Sequence, residues 1–285
     1  MKTMNDDVDK LGDEIKGYEK AYDHTLPANE PVIVRLDGHS FHNFTASMDF
    51  QTPFDESFKC MMYDAATAVL RFCGSNVAYI QSDEITMLLM NGANERSTPF
   101  FNNRVQKLCS LLASVCSVAF NRDIEMASSH SNETPNTLLN GAAYFDCRCF
   151  TVPRDRVVDV FEWRQRDAIK NAINSIIYWK EREMMSGKRV QRNLDGIPTS
   201  EKERILREKY NISISDYPVH FIRGACIVKK TKTVPVETVQ SPEIISKFGR
   251  EGTMVERRFL TVDYSIPLFH DDPMYIQKHL QVKNE

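Results

Sequence analysis

The sequence predicts an α+β protein with a ferredoxin-like (split βαβ) core and additional helices. Three observations lead to this fold class: a β-branched run that ends at a glycine in residues 31–38, two apolar runs at hairpin spacing in residues 76–90, and apolar residues at helical spacing in residues 105–119. With a helix after the first feature and a strand after the third, the order is β-α-β-β-α-β, which defines the split βαβ arrangement.

The first strand and the helix after it are recognised by their ends. "PVIVRLD" at residues 31–37 is nearly continuous in apolar and β-branched residues, which is typical of a central strand covered on both faces, and Gly38 ends it. A helix is predicted over residues 53–73, with Thr52 as its N-cap and a proline at its first position. Gly74 is expected to end this helix.

The next elements bring acidic residues to the end of the first strand. "NVAYI" and "ITMLLM" are separated only by residues 81–84, which is hairpin spacing, and "AAYFDCRCF" at 142–150 predicts a further strand. Right-handed crossovers place the third strand beside the first and antiparallel to it. Asp37 and Asp83 are therefore expected to meet at one edge of the sheet, with Glu84 beside them.

Two acids at the end of a rigid strand predict a site for divalent metal ions. Hard cations bind oxygen ligands, and a glycine lets its backbone carbonyl approach, so the expected ligands are Asp37, Gly38 and Asp83. Two ions about 4 Å apart would hold an attacking and a leaving oxygen in line for phosphoryl or nucleotidyl transfer. The alternative is that both acids only stabilise turns.

A phosphate-binding segment is expected beside this site. The backbone amides after the first strand can form an anion-binding nest for a triphosphate, with a histidine as a hydrogen-bonding wall. The nest residues are Gly38, His39, Ser40, Phe41 and His42. Arg104 and Lys107, near the start of the second long helix, would add positive charge, although such a pair is also ordinary on a solvated helix face.

Composition limits the class of partner and the compartment. A net charge of −3 argues against a general polyanion binder, so any basic surface must be local. The seven cysteines include no CxxC pair and are expected to be reduced, buried thiols. The first twenty residues are acidic and lack an apolar block, and no run approaches membrane-spanning length, so a cytoplasmic protein without a membrane segment is expected.

"RLDGHSFHNF" and "QSDEIT" resemble motifs of the tRNA-His guanylyltransferase superfamily, whose members extend RNA in the 3′-to-5′ direction with a polymerase-like palm. "FDCRCF", "WRQRDAIKNAINSIIYW", "TSEKERIL" and "DYPVHFIRG" follow in the family's order, so the resemblance covers roughly residues 5–230. It implies a palm-like catalytic domain with a helical C-terminal part over residues 1–230. Residues 231–285 are expected to form a C-terminal extension packed on this core.

The resemblance also implies roles for single residues. Asp37 and Asp83 match the metal-binding aspartates, with help from the carbonyl of Gly38, and Glu84 matches the acid that follows them. The positions that match nucleotide, phosphate or RNA contacts are His42, Ser82, Arg104, Lys107, Asn171 and Lys202. A solvated helix face is the ordinary alternative for the last two of these residues.

At one motif the sequence departs from the family pattern, and this departure bears on which activity within the family is implied. This chain has "IKNAINS" at residues 169–175, with Ile169 in place of the histidine found in members that add a single guanylate to tRNA-His. The segment resembles the guanylyltransferase-like branch, which implies templated 3′-to-5′ repair of tRNA 5′ ends. The implied partners and cofactors are tRNA, two Mg²⁺ ions, ATP for activation, other NTPs as substrates, and a homotetrameric assembly.

Three other functions remain compatible with the sequence. The first is a dedicated tRNA-His guanylyltransferase, which requires tRNA-His recognition without the histidine at position 169. The second is a palm-type nucleotide cyclase, which has no reason to keep the motifs after residue 150. The third is a non-catalytic RNA-binding scaffold, which has no need of the acids Asp37, Asp83 and Glu84.

Overall fold

The computed structural model describes residues 4–48, 50–90, 98–128, 141–249 and 251–280, and its central feature is a six-stranded antiparallel sheet in the order β4-β1-β3-β2-β5-β6. The strands are β1 (Val32–Gly38), β2 (Val77–Gln81), β3 (Glu84–Leu89), β4 (Phe145–Thr151), β5 (Ala225–Pro235) and β6 (Met254–Asp263). The α-helices are α1 (Met4–Ala21), α2 (Phe41–Ser47), α3 (Glu56–Cys73), α4 (Val105–Ser128), α5 (Val157–Arg182), α6 (Gly187–Leu194), α7 (Thr199–Tyr210), α8 (Val219–Arg223), α9 (Pro242–Phe248) and α10 (Met274–Gln277).

The predicted ferredoxin-like order is confirmed by β1, α3, β2, β3, α4 and β4. β1 pairs with β3 on one side and with β4 on the other, both antiparallel. In these registers Asp37 lies opposite Glu84 on β3 and opposite Asp146 on β4. The topology therefore gathers acidic residues from three strands at the carboxyl end of β1.

Both faces of β1 are buried, as its composition predicts. Val34 and Leu36 belong to a core cluster with residues of α3 and α4, whereas Ile33 belongs to a second cluster with Phe161 of α5. Alternate side chains of a strand point to opposite faces of a sheet, so helices cover β1 from both sides. This packing holds the end of the strand, and Asp37 with it, in a fixed position.

The start of α3 differs from the prediction. The helix begins at Glu56 and not at residue 53, because Asp55 is the N-cap: its carboxylate accepts a hydrogen bond from the amide of Phe58 at 2.8 Å and another from the amide of Gln51 at 2.9 Å. An aspartate that binds free amides at a helix start is a strong cap. Thr52 therefore lies in the loop before the helix, whereas Gly74 ends α3 as expected, with a φ of 73°.

A third cluster holds the helices after the sheet. Residues of the second half of α5, such as Ile173 and Ile177, pack with Val190 of α6, Leu206 of α7 and Ile222 of α8. These helices form a wall beside the end of β1 and the β2–β3 turn. Among the described residues, no helix combines the length and the apolar character that crossing a bilayer would need.

The C-terminal residues extend the sheet. β5 pairs with β2, and β6 pairs with β5 over ten positions. The predicted division at residue 230 falls within β5, and the two-part organisation of the chain stays a prediction. Tyr275 and Ile276 of α10 pack in the same cluster as Phe161 of α5.

Gly38 is required by an aromatic ring. A Cβ atom at this position would lie 2.3 Å from Cδ2 of Phe41. Phe41 is 4% exposed, and its ring contacts those of Phe120 and Phe145 at centroid distances of 5.5 and 4.9 Å. The ring cannot move aside without disturbing this cluster, so the sequence DG at the end of β1 has a steric cause.

Replacing Gly38 by alanine should lower the free energy of unfolding by about 1–3 kcal/mol, because the new methyl group overpacks the cluster around Phe41. The control is Gly12→Ala in α1, where a Cβ would meet nothing within 4 Å. This control should be neutral or stabilising by up to about 1 kcal/mol, because alanine favours helix. Urea denaturation measures both changes; equal stability of the two variants would contradict the steric argument.

Candidate active site

The structure brings four of the predicted site residues together at the carboxyl end of β1: Asp37, Gly38, Asp83 and Glu84. Asp37 lies opposite Glu84 in the β1–β3 register, and the amide of Gly38 donates a hydrogen bond to the carbonyl of Asp83 at 3.1 Å. Asp83 occupies the turn between β2 and β3, after Ser82, which has a left-handed φ of 46°. The backbone thus fixes Asp37 and Asp83 relative to each other before any side chain is considered.

The carboxylates at this edge resist ionisation. Burial raises the pKa of Asp83 to about 6, and hydrogen bonds from its own amide and from Ser82 oppose only part of this change. Burial also raises the pKa of Asp37, with further contributions from the charges of Glu84 and Asp146. Crowded, partly buried carboxylates of this kind are stabilised in the charged form by a nearby cation.

Glu84 has different surroundings from Asp37 and Asp83. Its Oε1 lies 3.3 Å from Arg35, and its Oε2 is bound by Arg164, a side chain that is only 4% exposed. Arg164 also lies 3.2 Å from Asp167. Both oxygens of Glu84 therefore contact guanidinium groups, which hold this side chain in place, and its expected role beside the metal ligands stays a prediction.

A half-exposed arginine partly offsets the charge of Asp37. Nη2 of Arg148 lies 3.7 Å from Oδ2 of Asp37, and its Nε lies 3.6 Å from Oδ1 of Asp146. Both distances exceed those of a good hydrogen bond, and the Arg148 side chain is 58% exposed, so the attraction is weak and screened. Asp37 therefore keeps its ability to bind another cation.

The donor set at this edge fits Mg²⁺. The available ligands are the carboxylates of Asp37 and Asp83 and the backbone carbonyl of Gly38, and all of them are hard oxygen donors of the kind Mg²⁺ prefers. The raised pKa values of Asp37 and Asp83 are consistent with this fit, because a bound cation would relieve the cost of their ionisation.

The predicted amide nest is smaller than expected. The amide of Gly38 is used by the carbonyl of Asp83, and the amide of His39 donates to the carbonyl of Tyr144 at 2.8 Å. Neither amide can serve a phosphate in this conformation. Ser40 has a left-handed φ of 55° at the start of α2, so the nest is reduced to the amides of residues 40–42.

A cleft of about 730 Å³ adjoins the acidic edge. Its volume lies in the range of small-molecule sites. Five predicted site residues line it, together with further aromatic side chains and one lysine. The predicted residues are Phe41, His42, Ser82, Asp83 and Asn171; the further aromatic ones include Phe54, Phe58, Trp179 and Phe221; and Lys59 is the one lysine or arginine among the described lining residues.

A second, more polar cavity of about 510 Å³ shares His42 and Trp179 with the cleft and extends it along α5. Lys202 lines this cavity, and its Nζ donates a hydrogen bond to Oδ1 of Asn174 at 2.9 Å. Asn171, in the first cleft, donates to Oδ2 of Asp167 at 3.3 Å. The two residues for which a solvated helix face was the alternative therefore lie in concave surfaces.

Arg104 and Lys107 lie at the other end of α4 from the acidic edge. Nε of Arg104 lies 2.6 Å from Oδ2 of Asp23, which precedes β1. The contact of α4 with the acidic edge is made by Ser117, whose hydroxyl accepts a hydrogen bond from the amide of Phe145, the first residue of β4. Lys107 precedes Ser117 by ten positions, or about 15 Å along the helix axis. A single chain therefore does not bring these two cations to the site.

Sequence analysis did not identify Asp146, Arg148 or Lys59 as site residues. The first two could have been predicted, because the topology that places β3 beside β1 also places the start of β4 there, and the second residue of "FDCRCF" is an acid. No sequence pattern indicated Lys59. It lines the cleft from the first turn of α3, which begins at Glu56.

Comparisons with known proteins agree with the fold and identify the family. Residues 12–153 match the family model of tRNAHis guanylyltransferase, and residues 155–264 match that of the Thg1 C terminal domain. A probable tRNA(His) guanylyltransferase of Drosophila melanogaster is 25% identical over 263 residues, with 89% of this chain and 87% of the relative covered.

Two solved structures are similar over nearly their whole length. A bacterial tRNA(His) guanylyltransferase (Thg1)-like protein in complex with ATP has a TM-score of 0.74 and 27% identity, with 96% of this chain and 100% of that chain covered. The structure of such a protein in complex with GTP has a TM-score of 0.68 and 28% identity, with 95% of this chain and 99% of that chain covered. The chain therefore belongs to the tRNAHis guanylyltransferase family and is a nucleotidyltransferase.

Proposed function

We propose that this nucleotidyltransferase adds nucleotides in the 3′-to-5′ direction to the 5′ end of tRNA, with the opposite acceptor strand as template. The observation that supports it most is the position of Asp37 and Asp83 beside a cleft of about 730 Å³ that joins aromatic and polar side chains. The similar structures contain ATP and GTP, which are nucleotides of the size such a cleft accepts.

The proposed chemistry has two phosphoryl-transfer steps. In the first, the 5′-monophosphate of the RNA attacks the α-phosphate of ATP, which forms an adenylylated 5′ end and releases pyrophosphate. In the second, the 3′-hydroxyl of an incoming NTP attacks the activated 5′ phosphate, which forms the new phosphodiester bond and releases AMP. Both steps require an attacking and a leaving oxygen to be held in line.

The residues of the site divide this work. Asp37 and Asp83, with the carbonyl of Gly38, would hold two Mg²⁺ ions, which when bound lower the pKa of the attacking hydroxyl and offset phosphate charge. The aromatic side chains of the cleft would stack on the base. Lys59, His42 and Ser82 would donate hydrogen bonds to the nucleotide, and Asn171 would do so from α5.

Glu84 acts as a positioning residue in this proposal. It binds Arg164 from α5 and Arg35 from β1, so it joins the helix to the sheet directly behind Asp37. The planar guanidinium of arginine loses little conformational entropy for each hydrogen bond that it forms. The Arg164–Glu84 contact therefore keeps the distance between the β-sheet and the α5 wall of the cleft constant.

Basic residues near the second cavity provide the RNA surface in this proposal. Arg164 is buried against Glu84, so it cannot serve this purpose. Lys188, Arg189 and Arg192 are exposed on α6, the helix that lines the second cavity with Gln191. Such a local group would contact the RNA backbone without a basic protein overall. In a homotetramer, a further subunit would be required to supply Arg104 and Lys107.

The packing of Ile169 favours templated repair over exclusive addition to tRNA-His. Its side chain packs against the cluster formed by α5, α6, α7 and α8, so this position offers no hydrogen bond to RNA. The alternative is a dedicated tRNA-His guanylyltransferase, which the names of the relatives support. The two differ in whether truncated tRNAs other than tRNA-His are accepted.

Incorporation of labelled nucleotides onto 5′-monophosphorylated tRNAs, each intact or lacking its first nucleotide, tests this proposal in the presence of ATP and Mg²⁺. We expect templated restoration of several truncated tRNAs. Asp37→Ala should abolish incorporation, because it removes a metal ligand, and Asp159→Ala, an exposed acid on α5, should not. Addition to tRNA-His alone would establish the dedicated enzyme, and full activity of Asp37→Ala would refute the proposed site.

Asp83→Asn should stabilise the metal-free protein while it abolishes transfer. The pKa of Asp83 is raised from 3.8 to about 6, so its ionisation costs folding free energy at every pH above 6, and part of this cost disappears as the pH falls towards 4. The free energy of unfolding of the variant should therefore exceed that of the unchanged protein by on the order of 2 kcal/mol at pH 8, and by less at pH 5.

Denaturant titrations at both pH values, with EDTA present, measure this gain. Asp159→Asn is the control, because its side chain is 51% exposed. If Asp83→Asn lowered stability at pH 8, the carboxylate would have a structural role that the proposal does not give it.

A further inference from the structure

Three cysteine side chains meet between α4 and β4. The Sγ atoms of Cys109, Cys147 and Cys149 all lie within 4.8 Å of one another, and those of Cys147 and Cys149 are 3.9 Å apart. All three are free thiols. The site described above makes no use of them.

The backbone places these thiols on the face of β4 that is turned away from the acidic edge. Cys147 and Cys149 are two residues apart on one strand, so their side chains point to the same face, and Asp146 and Arg148 point to the other. Both cysteines pack against the core cluster of α3 and α4. Cys109 approaches the pair from α4.

The spacing of the sulfur atoms matches that of a metal–thiolate site. With metal–sulfur bonds of about 2.3 Å, thiolates around a tetrahedral or trigonal ion lie about 3.8–4.0 Å from each other. The Cys147–Cys149 distance of 3.9 Å already has this value, and the limit of 4.8 Å leaves only small side-chain movements for Cys109. A disulfide, with sulfur atoms about 2.05 Å apart, would need a larger approach.

Access for an ion from solvent is retained. All three residues are partly buried, in contrast to Cys116 and Cys226, which are fully buried. Partial burial leaves the thiols accessible to a small ion and to water, as a three-ligand metal site with an open fourth position requires.

We propose that Cys109, Cys147 and Cys149 form a binding site for a thiophilic cation of the zinc class, with a fourth coordination position open to solvent. Binding breaks the three S–H bonds, releases three protons to solvent and forms three sulfur–metal bonds. The site is soft, whereas the ligands at Asp37 and Asp83 are hard, so Mg²⁺ and zinc would select different faces of the sheet.

The state without metal is consistent with this proposal. Burial raises the pKa of the Cys109 thiol to about 11, and the hydrogen bond with Cys149 raises the pKa of Cys147, whereas the hydrogen bond from Cys147 lowers the pKa of Cys149. The three sulfur atoms therefore form a hydrogen-bonded group whose protons a bound cation would displace.

A bound ion would join α4 to β4. β4 is an edge strand of the sheet that the described residues form: it places Asp146 opposite Asp37 and, among those residues, pairs with β1 alone. A metal ion that links α4 to β4 would therefore restrict the movement of β4, the strand that carries Asp146 at the acidic edge. The inference does not depend on the proposed RNA substrate, because it concerns metal binding alone.

Titration of the reduced, full-length chain with Zn²⁺ or Cd²⁺ tests the site directly, with excess Mg²⁺ present to occupy oxygen ligands. We expect one zinc ion per chain to be retained through gel filtration, and thiolate-to-cadmium charge-transfer absorption to saturate at one equivalent. Cys147→Ser should weaken binding by at least roughly tenfold. Cys60→Ser, which removes an exposed thiol on α3, should leave binding unchanged.

A second measurement uses the unmodified chain and so does not depend on the folding of a variant. Zinc should slow the alkylation of Cys109, Cys147 and Cys149, followed residue by residue by mass spectrometry, and should not slow that of Cys60. The proposal is overturned if the chain retains no more zinc than Cys147→Ser does. It is equally overturned if zinc protects none of the three cysteines, or protects Cys60 to the same extent.

Discussion

The antiparallel pairing of β1 with two neighbours is the constraint on which the rest of the structure depends. It sets Asp37 between Glu84 and Asp146, while the hydrogen bond from Gly38 to the carbonyl of Asp83 adds a fourth acid to the same edge. Like charges at such separations repel, and burial makes each ionisation more costly. Guanidinium groups bind some of these acids, and in the proposed function divalent cations bind the others.

The acids are divided between two tasks by their partners. Glu84 is held by Arg35 and Arg164, and this buried group joins α5 to the sheet. Asp37 is less well compensated, by the exposed Arg148 at 3.7 Å and by the charge of Arg35. The same edge therefore contains one acid, Glu84, whose charge is offset by two arginines and which holds α5 against the sheet. The charges of Asp37 and Asp83 are less fully offset, so in the proposed function these two acids bind the metal ions. Preorganised charge of this kind destabilises the metal-free protein and favours the bound state.

Local sequence patterns predicted the order of strands and helices in the core. The surroundings of single site residues depend on long-range packing, which these patterns do not reveal. Strand and helix periodicity with right-handed connections was sufficient to bring Asp83 to Asp37. The surroundings of Glu84 were not predictable, because Arg164 is eighty positions away and its burial depends on how α5 crosses the sheet. The distance of Arg104 and Lys107 from the acidic edge of the same chain has a similar cause: the sequence indicates which residues share a helix face, but packing sets which end of a long helix reaches the site.

The central claim is that Asp37 and Asp83 hold divalent metal ions beside a nucleotide in the adjoining cleft. Crystals grown with Mn²⁺ and a non-hydrolysable ATP analogue test it most directly, because anomalous scattering locates manganese without reference to the protein model. The account predicts manganese peaks in contact with the carboxylates of Asp37 and Asp83 and with the triphosphate. A well-ordered nucleotide bound elsewhere, with no manganese at either carboxylate, would contradict it.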